Sequence, residues 1–255
     1  MKTITIRNVV FGAGAAKVAV PIVGETQEAI LKKAEALRGG VCDLVEWRAD
    51  YYCDAARPEA LLDTLQKLRA ALGDMPLLFT LHTKHEGGRA ELDAASYEAL
   101  NAAAAESGCV DLIDVELFRD AAAMRKQIAA LKRNVTVIVS YHDFFTTPTQ
   151  GEIVTILTRA MELGADISKI AVTPQTDADV LTLLAASVEM REQHPDQLIL
   201  TISMGARGVL TRIGCGFSGS CITFGAVGEA SAPGQIQAGD LKRTLALIDR
   251  MRQKD

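Results

Sequence analysis

Residues 165–175, "ADISKIAVTPQ", run into 177–193, "DADVLTLLAASVEMREQ". The first stretch sets Ile167, Ile170, Ala171 and Val172 around a single lysine, Lys169, and reads as a buried strand. The second reads as a long helix. This strand–helix unit recurs in both directions along the chain. Strand-like runs at 17–24, 42–50, 75–83, 109–117 and 134–143 precede it, each followed by a helical segment, at 25–37, 58–72, 93–106, 120–132 and 149–163. After it come a strand at 197–205 with a short helix near 206–213, and a strand at 220–228 with a last helix at 238–252. Gly39-Gly40 stops the first helix.

Eight such units, with Val/Ile/Leu-rich strands covered on both faces, predict an α/β fold, a (β/α)8 TIM barrel. The alternative, an open doubly wound sheet, would favour a phosphate-binding loop after its first strand, and "PIVGETQEA" lacks the glycine pattern. The alternating "MKTITIRNVV" and following "FGAGAAK" predict an N-terminal β-hairpin arm. The expected organisation is one barrel domain over 1–255, with the arm at 1–16 and eight βα units at 17–255.

The chain has 255 residues, a net charge of −5 and a pI of about 5.5, which argues against a nucleic-acid surface but leaves room for a local anion pocket. No apolar run is long enough to span a bilayer, and Arg7 breaks up the N-terminus, so neither a membrane segment nor a signal peptide is expected. Five cysteines without C-x-x-C spacing fit a reducing cytoplasm and read as small hydrophobes. His82 and His85 are three apart but have no clear third ligand, so no metal site is expected.

Barrel chemistry sits at the C-terminal ends of the strands, and polar residues collect there. In "CDLVEWRAD", Glu46, Arg48 and Asp50 alternate with Val45 and Trp47, so the charged set shares one face. The later strands contribute His82, with Glu86 just beyond it, then Asp114 and Glu116, Ser140 and His142, Lys169, and Met204 leading to Arg212. The last loop, "EASAPGQ", holds Ser231 and Gln235. Each has a plain structural reading: Glu46–Arg48 as an ion pair, His142 as a core histidine, Asp114 and Glu116 as acceptors for backbone amides, Arg212 as a helix cap. Gathered on one rim around a buried lysine, they point to an enzyme.

The lysine accounts for the arrangement. Protonated lysine, with a reference pKa of about 10.4, is a poor nucleophile. Burial and cations such as Arg48 and Arg212 would favour the free amine. A free amine condenses with a ketone to an imine, whose protonated form makes the adjacent carbon acidic. His142, one strand away, is the candidate base.

The motifs "LVEWRAD" (44–50), "EGG" (86–88), "LIDVEL" (112–117), "SYHDF" (140–144), "KIAVTPQTDADVLTLL" (169–184), "SMGARGVLTR" (203–212) and "FGAVGEASAPGQI" (224–236) resemble type I 3-dehydroquinate dehydratase, in family order over nearly the whole chain. The resemblance implies a barrel, a homodimer, and dehydration of 3-dehydroquinate to 3-dehydroshikimate in the shikimate pathway, with no metal or organic cofactor. It implies that Lys169 forms the Schiff base at C3 and that His142 takes the C2 proton and shuttles protons in the other steps. Glu86 would assist, and Asp114 would orient His142. Glu46 and Arg48 would hold substrate hydroxyls, Arg212 the carboxylate, and Ser231 and Gln235 would close over the substrate, with Met204 behind the site. One departure stands out. Where the family has an arginine, in R-[ST]-x-x-E-G-G, this chain reads "HTKHEGG", with His82 in the arginine's position. Histidine is shorter, lacks the bidentate fork and is only partly charged at neutral pH. Lys84, His85 or Arg89 would then compensate, or substrate binding would weaken. Two other readings follow: a class I aldolase, which also uses a barrel lysine imine, and a non-catalytic barrel that binds a small carboxylate.

Overall fold

The computed structural model describes residues 2–117, 120–228 and 234–252. A short antiparallel hairpin, β1 (Ile4–Ile6) and β2 (Val9–Phe11), comes first. Eight parallel strands follow: β3 (Lys17–Ile22), β4 (Leu44–Arg48), β5 (Leu77–Thr80), β6 (Leu112–Glu116), β7 (Thr136–Asp143), β8 (Ile167–Val172), β9 (Leu198–Ser203) and β10 (Ile222–Ala226). They pair in chain order, and β10 returns to β3 through Ile222↔Lys17, Thr223↔Val18 and Phe224↔Ala19. The β9–β10 seam is closed by Cys221 N–H donating to Ile199 O (2.8 Å) and Thr201 N–H donating to Ser220 Oγ (3.1 Å). A two-residue strand, β11 (Ile236–Gln237), adds to β10 and was not foreseen.

The helices are α1 (Gln27–Ala36), α2 (Pro58–Leu72), α3 (Ala94–Glu106), α4 (Ala121–Leu131), α5 (Gln150–Glu162), α6 (Asp177–Gln193), α7 (Val209–Ile213), α8 (Cys215–Ser218) and α9 (Ala238–Arg252). Their starts follow from capping chemistry. Thr149 with Glu152, and Thr176 with Asp179, form reciprocal capping boxes at α5 and α6. Pro58 sits at the first position of α2. Gly214 splits the predicted short helix region into α7 and α8.

The strands separate two cores. Outward residues such as Val45, Trp47, Phe79, Ile113 and Val139 pack under the helices. Inward residues change character along the strands: Leu44, Leu78, Leu112, Ile138 and Ile167 fill the lower barrel. Two residues further on along each strand stand Glu46, Thr80, Asp114, Ser140 and Lys169. An apolar floor thus carries a polar layer. The hairpin plugs the barrel from below: Ile6 and Phe11 belong to the same interior cluster. Arg7, at the hairpin turn with φ 54°, clamps the arm to Asp111 at 2.8 Å.

Three aspartates mark the strand bottoms at matching places. Asp43, Asp111 and Asp166, each just before an even-numbered strand, accept the backbone N–H of Val18, Leu77 and Val137 at 2.8, 2.8 and 3.0 Å. They satisfy strand ends that would otherwise be buried unpaired.

Candidate active site

A cavity opens at the C-terminal rim. Its wall includes Glu46, Arg48, His82, Glu86, His142, Lys169, Met204, Arg212 and Gln235, so the structure brings these expected residues together. Asp114 lies just beneath, fully buried, and Ser231 lies outside the described residues.

Lys169 projects inward because it shares a face of β8 with Ile167 and Ala171, while Ile170 and Val172 pack outward under α5 and α6. Its Nζ is 2.7 Å from Asp114 Oδ2. Asp114 also accepts a short hydrogen bond from Ser140 Oγ. Burial opposes ionisation of Asp114, but Lys169 first, then His82 and His142, together outweigh it and hold the carboxyl below its usual range. Lys169 therefore has a carboxylate as its immediate partner rather than the cations Arg48 and Arg212. Asp114 thus bonds Lys169 directly, and acts on His142 through its charge.

The residue that orients His142 is Glu86. Its Oε2 accepts the His142 backbone N–H at 2.7 Å and faces Nδ1 at 2.8 Å. Burial first, then the Glu116 carboxylate, pushes Glu86 up to about 8. Burial first, then the charge of Lys169, lowers His142 well below its ordinary value. His142 is thus neutral near pH 7. With the ring's own proton on Nδ1, facing Glu86 Oε2, Nε2 carries a free lone pair, the form a general base needs.

"EGG" has a steric reason. Gly87 ends the 3-10 turn Lys84–Glu86 with φ 68°, and a Cβ there would meet the Phe144 ring at 2.2 Å. A Cβ on Gly88 would lie 2.0 Å from the His82 carbonyl oxygen. Phe144 in turn stacks on His142, with ring centroids 5.8 Å apart. Glu116 anchors the same loop by accepting Thr83 N–H and Thr83 Oγ–H. Of the two carboxylates read as acceptors for backbone amides, Glu116 takes that part and Asp114 does not.

The Glu46–Arg48 pair is not formed. Arg48 makes a bidentate bridge to Asp50, at 2.8 Å through each nitrogen, and lies over the Tyr51 ring. Glu46 instead accepts Thr80 Oγ–H at 2.9 Å. Arg212 does not cap a helix. Its Nη1 donates to Phe224 O at 3.3 Å, its Nε has no partner among the described residues, and burial lowers its affinity for its proton. A buried guanidinium with an unused donor on an otherwise enclosed wall suits an anion. Tyr51 and Phe224 also line the cavity; the sequence assigned neither a role, although Phe224 opens the 224–236 motif.

A lysine paired to a buried carboxylate, a neutral histidine and a poised glutamate on a barrel rim define an enzyme built for imine chemistry. The sequence profile of the type I 3-dehydroquinase family matches residues 18–252. The 3-dehydroquinate dehydratases of Salmonella paratyphi B and Salmonella heidelberg are each 46% identical to it over 249 residues, 97% of this chain and 99% of theirs. The type I 3-dehydroquinate dehydratase structure from Clostridium difficile superposes with a TM-score of 0.95 at 40% identity, covering 98% of this chain and 100% of that one. The Geobacillus kaustophilus enzyme superposes at 0.91 and 34% identity, covering 98% and 97%. The chain belongs to the type I 3-dehydroquinase family.

Proposed function

We propose that this protein is a hydro-lyase that dehydrates 3-dehydroquinate to 3-dehydroshikimate, a step of the shikimate pathway, through an imine on Lys169. The observation that carries the reading is the buried Lys169 facing a neutral His142 across a rim cavity, in a chain 46% identical to 3-dehydroquinate dehydratases over almost its full length. The Lys169 amine attacks the C3 ketone, and the ketone oxygen leaves as water. The protonated imine draws electrons from C2, and His142 Nε2 takes the C2 proton. The C1 hydroxyl then leaves with a proton from His142, and a second water hydrolyses the imine. One water is released on imine formation and one is consumed on hydrolysis, so the net change is loss of the C1 hydroxyl and the C2 hydrogen.

Glu86 holds His142. Asp114 governs Lys169. Arg212 takes the substrate carboxylate through its unused donor. Glu46 and Arg48 face the hydroxyls, Gln235 closes the mouth, and Met204 and His82 complete the wall. The class I aldolase reading is not favoured by these relatives, nor is the non-catalytic one.

The protein works as a single barrel, 17–255, with the 1–16 arm as its floor. It acts as a homodimer on a small anionic substrate in the cytoplasm. No helix among the described residues is long and apolar enough to cross a membrane.

The test adds 3-dehydroquinate and follows ultraviolet absorbance of the enone, then adds borohydride and maps the reduced adduct. An adduct on the Lys169 peptide, with enone appearance abolished in Lys169→Ala, is the expected result. Full activity in that variant refutes the assignment.

A further inference from the structure

Asp114 has a second neighbour besides Lys169. His82 Nε2 stands 3.5 Å from Asp114 Oδ1. His82 is 3% exposed, and Nε2 has no hydrogen-bond partner among the described residues. The ring is fixed in that place: it lies edge-to-face on His142 with centroids 4.6 Å apart, and the His82 carbonyl accepts Ala90 N–H. A buried ring nitrogen left without a partner is costly, and its position beside a carboxylate calls for a reason.

Lys169 supplies the reason. To attack a carbonyl, its ammonium must give up a proton. Asp114, fully buried, then loses the cation that neutralises it. Neither arginine of the cavity wall is bonded to Asp114: Arg48 bridges Asp50, and Arg212 Nη1 reaches the Phe224 carbonyl. A buried carboxylate stripped of its counter-charge is strongly disfavoured.

Resting on the dehydratase reading above, we propose that His82 is a positioning residue that replaces Lys169 as the counter-ion of Asp114, taking up a proton at Nε2 when Lys169 Nζ releases one. One N–H bond breaks at Nζ and one forms at Nε2. The proton passes through the cavity that both side chains line. The new Nε2–H closes onto Asp114 Oδ1, and the charge of the three-residue set does not change. The other charged and titratable groups around the ring are held elsewhere: Glu46 by Thr80, Arg48 by Asp50, and Glu86 by His142. The imidazolium adds a cation to the wall that an anionic substrate approaches. It also disfavours protonation of His142, whose base function needs the neutral ring.

The experiment measures how fast acetic anhydride acetylates Lys169 in the full-length protein without substrate, at neutral pH, relative to the exposed Lys32. His82→Gln cannot take a proton, so Asp114 should keep Lys169 as ammonium and slow its acetylation by about tenfold or more. His82→Arg carries a permanent charge beside Asp114 and should restore the wild-type rate or exceed it. In an Asp114→Asn background, His82→Gln should have no further effect. A His82→Gln rate within about twofold of wild type, or a His82→Arg rate as slow as that of His82→Gln, overturns the proposal. Should Asp114→Asn not fold, the two His82 variants decide alone. Because no substrate is present, a protein that labels as expected but fails to dehydrate 3-dehydroquinate supports this exchange while overturning the dehydratase reading.

Discussion

Lys169 Nζ and Asp114 Oδ2 lie 2.7 Å apart between two side chains that scarcely reach solvent. The pair is a strong constraint on stability as well as chemistry. Removing one member of a buried pair costs about 3–5 kcal/mol, because the other is left as an uncompensated charge. Lys169→Met should therefore lower unfolding stability by about that amount in urea titrations at pH 7. Lys169→Met with Asp114→Leu should recover most of the loss. The sign with pH follows from Asp114, whose carboxyl the fold holds below its ordinary 3.8. Its contribution is complete above that value and is lost as pH falls below it, so the gap between wild type and Lys169→Met should narrow in acid. A single variant as stable as wild type at pH 7 would show that the pair is not ionised.

Glu86 has the opposite sense. The fold raises its carboxyl from 4.5 to about 8, so the folded state binds the proton more tightly than the unfolded chain. Stability from that proton is complete below pH 4.5 and is lost as pH rises through about 8, by at most about 1.4 kcal/mol per pH unit. Glu86→Gln does not titrate. Its melting temperature relative to wild type should climb steadily between pH 5 and 8. His142 contributes with the reverse sign, since the fold lowers its affinity for a proton and that stability is lost as pH falls through the ordinary histidine value of 6.5. A constant difference in melting temperature across the range would mean that Glu86 ionises normally.

His142→Ala should lose several orders of magnitude in turnover. One acid–base role contributes about 10²–10⁴-fold, and this ring serves several steps. The borohydride adduct on Lys169 should still accumulate on long incubation, because the amine is intact. Turnover within about tenfold of wild type would pass the base role to another group.

Much of this was legible in the chain because the barrel repeats one pattern. The helix at 177–193 and the helix at 58–72 have the predicted bounds, set by a capping box and by Pro58. The alternation in "LVEWR" correctly put Glu46 and Arg48 on the inward face. Partners were not legible, because they depend on register between strands distant in sequence. Glu46 meets Thr80 on the adjacent strand rather than Arg48, and Asp114 on β6 meets Lys169 on β8, with β7 between them, rather than His142. Strand ends were read too long: the run at 75–83 forms a strand only over Leu77–Thr80, since its last residues turn into the rim loop that carries the site. Tyr51 and Phe224 belong to the cavity wall only through folding.

Gly88→Ala should disturb the rim more than its size suggests. The added methyl would lie 2.0 Å from the backbone oxygen of His82, and backbone has nowhere to retreat. The loop carrying Glu86 must shift, so turnover should fall with KM and stability should drop by about 1–3 kcal/mol, the usual cost of overpacking. Gly151→Ala, in α5 with open space around its position, is the control and should be neutral or stabilising by up to about 1 kcal/mol. Unchanged kinetics in Gly88→Ala would show that the loop does not fix Glu86.

His82→Arg should tighten substrate binding. The resemblance drawn from the sequence motifs implies an arginine where this chain has His82, and the cavity already holds Arg48 and Arg212 on its wall. An arginine at this position is permanently charged and adds a fork of donors to the wall that an anionic substrate approaches. A hydrogen bond to a charged group contributes about 1.5–3 kcal/mol, or roughly ten- to hundredfold in affinity. KM for 3-dehydroquinate at pH 8 should fall within that range, with a smaller change in kcat, because binding rather than proton transfer is altered. The neighbouring cations are poor substitutes: Lys84 is paired to Glu91, and Arg89 is paired to Glu25 and lies over Tyr51. If KM at pH 8 is the same in both proteins, His82 does not occupy the arginine's role. In that case Arg89, which lies over the ring of Tyr51 in the cavity wall, becomes the group to remove next, and Arg89→Ala should then raise KM.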